Sequence, residues 1–67
     1  MNQQQLVAHI NKFKSKGPYL LEVECENAYA RIQLRDRFLA FQLAESAGRS
    51  GVAKDIKLYY FNPKHHP

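Results

Sequence analysis

The sequence between residues 19 and 34 is organised symmetrically about a Glu26-Asn27 pair. With a two-residue turn at this pair, two strands meet with apolar residue opposite apolar residue: Tyr19 with Leu34, Leu21 with Ile32, Val23 with Ala30 and Cys25 with Ala28. On the other face, Glu22 lies opposite Arg31 and Glu24 lies opposite Tyr29. A slip of one residue would turn every side chain to the wrong face. The pattern therefore predicts an antiparallel hairpin with one apolar face.

Residues 36–47 admit two interpretations. A second two-residue turn at Asp36-Arg37 would create a third strand that continues the apolar face through Leu39, Phe41 and Leu43. Alternatively, Asp36 would cap a helix over residues 37–47 that ends at Gly48, with a run of good helix-forming residues. Because two successive turns give one consistent face, the strand interpretation is favoured and the helix is the alternative.

The remaining elements complete a small α+β domain. Asn2 and Gln5 have capping-box spacing and open a predicted helix over 3–15, which Gly17-Pro18 ends. Residues 46–55 form a predicted loop, and Ile56, Leu58 and Tyr60 alternate along a fourth strand that pairs with the third. The prediction is a single domain over 1–67: an N-terminal helix packed on a four-stranded antiparallel β-meander within 19–61, followed by a polar tail over 62–67.

The length limits how stable such a domain can be. A chain of 67 residues buries only about 60% of the surface that its unfolded chain exposes. A single cysteine, Cys25, excludes an internal disulfide and fits a reducing compartment. The sequence contains no long apolar run and no signal-peptide pattern, so a soluble cytoplasmic protein is expected, with no membrane association. Self-association is the remaining source of stability, and a homo-oligomer is predicted.

The predicted outer face of the sheet combines aromatic and basic residues. Ten Lys and Arg residues outnumber six Asp and Glu, three of which alternate at Glu22, Glu24 and Glu26 on the first strand. Rings that stack on bases and cations that hold phosphates suit single-stranded nucleic acid. The predicted contacts are Tyr29, Arg31, Arg35, Arg49, Lys57 and Tyr59. The alternative for this face is an interface centred on Phe38, Tyr59 and Phe61, since aromatic residues and Arg are also enriched in interfaces.

No motif in the chain indicates catalysis, a metal site or a cofactor. Gly48-Arg49-Ser50-Gly51 lacks the spacing of a phosphate-binding P-loop, and no nucleophile–base pair can be assigned. A helix that leads into small antiparallel strands, with a basic end at Lys64-His65-His66, is similar in layout to the Sm-like RNA-binding proteins. The second and third predicted strands lack the glycines at which those proteins bend, so no family is assigned. The expected function is a non-enzymatic binding protein for single-stranded nucleic acid or an acidic protein surface. The alternative is a modulator, either an inhibitor or an adaptor, that docks on a larger protein through its aromatic face or an edge strand.

Overall fold

A computed structural model describes residues 1–61, and the predicted polar tail over 62–67 lies outside the described residues. The fold is α+β, with two helices and a three-stranded antiparallel sheet. Its elements are α1 (Gln3–Asn11), β1 (Tyr19–Cys25), β2 (Tyr29–Leu34), α2 (Arg37–Arg49) and β3 (Ala53–Tyr60). The predicted four-stranded meander is therefore wrong, although the α+β class and the N-terminal helix packed on the sheet are confirmed.

The capping box at the start of α1 forms as predicted. The Gln5 backbone N–H donates to Asn2 Oδ1 at 2.8 Å, and the Asn2 backbone N–H donates to Gln5 Oε1 at 2.9 Å. Leu6 and Ile10 are buried on one side of the helix, four residues apart. The helix ends at Asn11 rather than at residue 15. Residues 12–18 instead form a loop that packs along β2.

The β1–β2 hairpin is confirmed in its predicted register. Tyr19 pairs with Leu34, Leu21 with Ile32 and Glu22 with Arg31. The Cys25 backbone N–H donates to the Ala28 carbonyl oxygen at 2.8 Å and closes the two-residue turn at 26–27. Both strands can be predicted together because burying one apolar face allows only this alignment.

The predicted third strand is wrong, because its residues belong to helix α2. Asp36 Oδ1 accepts from the backbone N–H groups of Phe38 at 2.8 Å and Leu39 at 3.3 Å, which is N-cap geometry. Ala40 and Ala47 are completely buried, so the helix axis can lie close to the sheet. Phe41, predicted to face the core, is instead 56% exposed. The helix continues to Arg49, so the predicted loop over 46–55 shrinks to the few residues before Ala53.

The last strand lies on the opposite side of the sheet from its predicted position. Strand β3 pairs antiparallel with β1, not with residues 39–43, and the strand order is β2-β1-β3. Strands β2 and β3 therefore run parallel to each other on either side of β1, and α2 crosses over β1 to connect them. Consequently β1 is the central strand.

Both helices pack on one face of the sheet, and among residues 1–61 no helix or strand covers the other face, where Leu20 alone is buried. The core contains residues from the helices and from the inner faces of β1 and β2, with Leu6, Ile10, Leu21, Ile32, Leu34 and Val23 the largest fully buried side chains. Helix α1 contacts β2, whereas α2 lies mainly over β3 and β1. Ile56 and Leu58 of β3 are only half-buried, because β3 lies at the margin of the helical layer.

Candidate docking site at an open sheet edge

Strand β3 forms one margin of the sheet, and its outward backbone groups can be identified from the hydrogen-bond alternation. Because Cys25 and Ala28 form a hydrogen-bonded pair, the backbone N–H and C=O groups of Cys25 and of every second residue before it in β1 point toward β2. The backbone groups of the intervening residues, including Glu22, point toward β3. The remaining N–H and C=O groups of β3 therefore point away from the sheet, at Ile56, Leu58 and Tyr60. Within residues 1–61, no other strand pairs with this edge.

The flank of α2 beside this edge carries small residues and one exposed ring. A Cβ atom added to Gly48 would lie 3.8 Å from Cδ1 of Ile56, so this flank of α2 faces β3. Ala44 and Phe41 lie four and seven residues earlier in the helix and share this flank. The arrangement leaves a partly exposed apolar strip that consists of Phe41 on α2 and half-buried Ile56 and Leu58 on β3.

The opposite edge of the sheet is partly covered by the chain itself. The Ser15 backbone N–H donates to the Gln33 carbonyl oxygen on the outer edge of β2 at 2.9 Å. The Arg35 backbone N–H donates to Ser15 Oγ at 3.0 Å, and Arg35 Nε donates to the Lys16 carbonyl oxygen at 3.3 Å. The loop after α1 thus protects part of the β2 edge, while β3 has no comparable cover among the described residues.

The face of the sheet opposite the helices, called the open face below, has a mixed charge. Three rows cross it in register: Gln33–Leu20–Tyr59, Arg31–Glu22–Lys57 and Tyr29–Glu24–Asp55. The predicted meander places the glutamates on an outer strand, with basic residues on only one side of them. Because β1 is central, Glu22 and Glu24 instead lie between the basic residues, and the face holds three carboxylates and two cations.

Local contacts tie these open-face residues to one another. The Tyr29 hydroxyl donates to Glu22 Oε2 at 2.6 Å, and Lys57 Nζ lies 3.8 Å from Asp55 Oδ2. The hydrogen bond to Glu22 raises the pKa of Tyr29 above its usual 10.0, and desolvation and the nearby negative charge of Glu22 raise it further. The rings of Tyr59 and Phe61 lie 6.4 Å apart.

The structure separates the residues predicted to bind nucleic acid into three regions. Tyr29, Arg31, Lys57 and Tyr59 share the open face. Arg35 lies at the end of β2 beside the loop. Arg49 lies in the helical layer, where its Nη2 atom is 3.1 Å from Glu45 Oε1. The six residues therefore do not form one continuous surface.

The residues predicted to form an interface are divided in the same way. Phe38 is in the first turn of α2 and 70% exposed, with the Arg37 guanidinium 5.3 Å from its ring centroid. It therefore belongs to the helical layer, and its predicted position on the outer face of the sheet, with Tyr59 and Phe61, is wrong. Tyr59 and Phe61 do lie together. The role of these residues in an interface stays a prediction.

The sequence pattern does not predict the open edge at Ile56, Leu58 and Tyr60, because their alternation is that of core residues. The alternative interpretation of residues 37–47 as a helix does predict that Phe41 is exposed. In that helix the buried stripe leaves Phe41 outside the buried face. An exposed aromatic ring of this kind is a candidate contact for a binding partner. The stripe consists of Leu39, Ala40, Leu43 and Ala47.

Comparison with known proteins assigns neither a family nor a function to the chain. No known protein family, curated protein or solved structure matches the chain. Within residues 1–61, no group of three or more potential metal ligands comes together. In the same range, no helix has the length and apolar character needed to cross a membrane.

Proposed function

We propose that this protein is a non-enzymatic protein-binding modulator that adds an extended segment of its partner to the edge of β3. The observation that carries the proposal is the regular edge itself, with outward backbone groups at Ile56, Leu58 and Tyr60. Main-chain hydrogen bonds to such an edge supply affinity, and neighbouring side-chain pockets supply specificity. The lone buried cysteine is consistent with action in the cytoplasm.

The side chains around the edge support binding of an apolar segment. Proteins commonly protect exposed edges with charges, prolines or bulges. Here a register irregularity protects the start of β3, between the pairs Glu24–Asp55 and Cys25–Ala53, and the one charge farther along the strand is Lys57, on the open face 3.8 Å from Asp55 Oδ2. Beyond the irregularity, Leu58 and Tyr60 project toward the helical side of the sheet, on which α2 packs. A bound strand would therefore place every second side chain against this apolar strip.

A proline substitution tests the backbone part of this proposal. Proline is tolerated at an edge position whose N–H faces solvent, but it removes that donor and blocks an incoming strand. We expect Leu58→Pro to fold and to lose binding at least tenfold for extended peptides that are selected against the wild type from a random displayed library. Leu58→Ala is the matched control, because it removes the same side chain from the apolar strip but keeps the N–H group.

Amide hydrogen exchange locates the binding independently of mutation. A selected peptide should slow exchange at the Ile56, Leu58 and Tyr60 amides. The outward amides of β2, at Tyr29 and Arg31, serve as the internal control and should not change. Equal peptide binding by wild type and Leu58→Pro, or protection confined to β2, would refute docking at the β3 edge.

A second candidate retains nucleic-acid binding but places it outside the open face. The loop contacts of Arg35 bring Lys14, Lys16, Arg35 and Arg37 to one end of the molecule, and all four are exposed. One acidic residue, Asp36, lies between Arg35 and Arg37, and its carboxylate caps α2. This cluster, termed the basic corner, suits phosphate binding.

Salt dependence of oligonucleotide binding tests this second candidate. If Arg35 contacts a phosphate, Arg35→Ala should reduce by about one unit the slope of log affinity against log salt for a labelled single-stranded oligonucleotide. Lys57→Ala, on the open face, is the charge-matched control and should leave the slope unchanged. Absence of binding at low salt and tens of micromolar protein would reject the candidate. A reduced slope for Lys57→Ala alone would place the binding on the open face instead.

A further inference from the structure

The occupant of the β3 edge is, we infer, a second copy of this chain, paired antiparallel about a twofold axis at Leu58. The inference rests on the proposed docking function of this edge and identifies the partner. It also gives a specific geometry to the homo-oligomer expected from the short chain. The pairing would join two three-stranded sheets into one continuous sheet and would remove both exposed β3 edges.

The backbone restricts how two β3 strands can pair. Residues whose N–H and C=O groups point outward must face one another, so Ile56, Leu58 and Tyr60 can pair only with members of the same set or with positions beyond it. Symmetric pairs in which all three of these residues face a residue within 52–61 have their axis at Ile56, at Lys57 or at Leu58. These three registers place different side chains opposite each other, so the sequence of β3 discriminates among them.

Two of the three registers conflict with the strand. An axis at Lys57 places this cation directly opposite the partner's Lys57, which is destabilising. An axis at Ile56 forms ion pairs between Asp55 and the partner's Lys57. However, it places Leu58 opposite the partner's Lys54, which has no partner in the β1–β3 register because the ladder shifts there. The strand is irregular at that point, so the ladder would be interrupted on both sides of the axis.

An axis at Leu58 makes each facing pair complementary. On the helical side, Leu58 faces the partner's Leu58 and Ile56 faces the partner's Tyr60. On the open face, Lys57 faces the ring of the partner's Tyr59, a favourable cation–π arrangement. All of these residues lie in the regular part of the β1–β3 ladder.

Two exposed aromatic rings also lie on the helical side near this axis. Tyr60 is 57% exposed although it lies on the helical side, and its ring centroid is 5.0 Å from that of Tyr19. Helix α2 starts just after Leu34, which pairs with Tyr19, and Tyr19 pairs with Tyr60. Phe41, two helical turns before Gly48, therefore lies toward the Tyr60 end of β3. A second copy centred on Leu58 would cover these partly exposed rings together.

Cysteine cross-linking distinguishes the registers directly. In a Cys25→Ala background, Leu58→Cys would place two thiols on the axis, where paired Cα atoms lie about 5.5 Å apart, within disulfide range. Ile56→Cys is the matched control, because the two copies of this position would be displaced by four residues, or about 13 Å. Mild oxidation should convert Leu58→Cys to a covalent dimer and leave Ile56→Cys monomeric.

Two further measurements keep the test decisive if Leu58→Cys weakens the pair. The full-length wild type should show twice the chain mass by light scattering, and Leu58→Pro should show the mass of one chain. A mixture of Lys57→Cys and Tyr59→Cys single variants, also in the Cys25→Ala background, should form the mixed disulfide faster than either variant alone.

The outcomes separate this inference from the proposed function. A wild-type monomer at hundreds of micromolar, or cross-linking through Ile56→Cys in place of Leu58→Cys, would overturn the Leu58-centred pair. Docking of other segments would still stand if selected peptides protect the Leu58 amide and fail to bind Leu58→Pro. If peptides bind elsewhere, the proposed function fails as well.

Discussion

Replacing Gly17 with alanine should destabilise the fold by disturbing the loop that covers the β2 edge. A Cβ atom at this position would lie 2.3 Å from both the Arg35 Cα atom and the Leu34 carbonyl oxygen, and 2.6 Å from the Arg35 nitrogen. These are backbone atoms of a strand end, so they cannot rotate away as a flexible side chain could. The loop or the end of β2 must therefore move.

Two routes to the magnitude of this effect agree. Accommodating the methyl group as overpacking costs typically about 1–3 kcal/mol. If the loop instead lifts from β2, the hydrogen bonds from the Ser15 N–H to Gln33 and from the Arg35 N–H to Ser15 are lost. At about 1 kcal/mol each, this gives about 2 kcal/mol. Domains of this size are stable by only about 3–10 kcal/mol, so the loss is easily measured.

Urea unfolding followed by far-ultraviolet circular dichroism measures the change in unfolding free energy. Gly48→Ala provides the matched control, because its added Cβ would make only an ordinary contact, 3.8 Å from Ile56 Cδ1. Alanine is also a better helix former than glycine, so this control should stabilise the protein by up to about 1 kcal/mol. If Gly17→Ala unfolds within about 0.5 kcal/mol of the wild type, the close approach of loop and strand does not exist as described.

Two further predictions concern the start of α2 and the open face. Asp36→Ala should lower the unfolding free energy by about 1 kcal/mol, because the Asp36 carboxylate accepts hydrogen bonds from the Phe38 and Leu39 N–H groups. Asp36→Ser should retain most of the stability, since serine also caps helices. Equal stability of Asp36→Ala and the wild type in urea unfolding would contradict the cap. The Tyr29 pKa should lie above 10.0 when followed by the ¹³C shift of its ring against pH, and Glu22→Gln should lower it. Because the folded pKa exceeds the unfolded one, this contribution to stability is present below pH 10 and is lost as the pH rises through the folded pKa. A midpoint that does not move in Glu22→Gln would exclude the hydrogen bond as its cause.

The local elements of this protein can be derived from its sequence. The capping box at Asn2 and the register of the β1–β2 hairpin both depend on residues close together in the chain. In the hairpin, burying one face allows one alignment, because any single-residue slip would expose the apolar set. Alternation along residues 56–60 also predicts a strand there, which is confirmed, but not the strand with which it pairs.

Tertiary structure decided the identity of residues 37–49 and the partner of β3. Leu39, Phe41 and Leu43 satisfy a two-residue period, whereas Leu39, Ala40, Leu43 and Ala47 satisfy a helical one. Local patterning therefore could not choose between them. The Asp36 cap and the close packing of two buried alanines on the sheet favour the helix. Once α2 crosses over β1, the last strand can pair only with the free side of β1. That long-range pairing moves Glu22 and Glu24 into the middle of the open face and leaves Ile56, Leu58 and Tyr60 on the open edge.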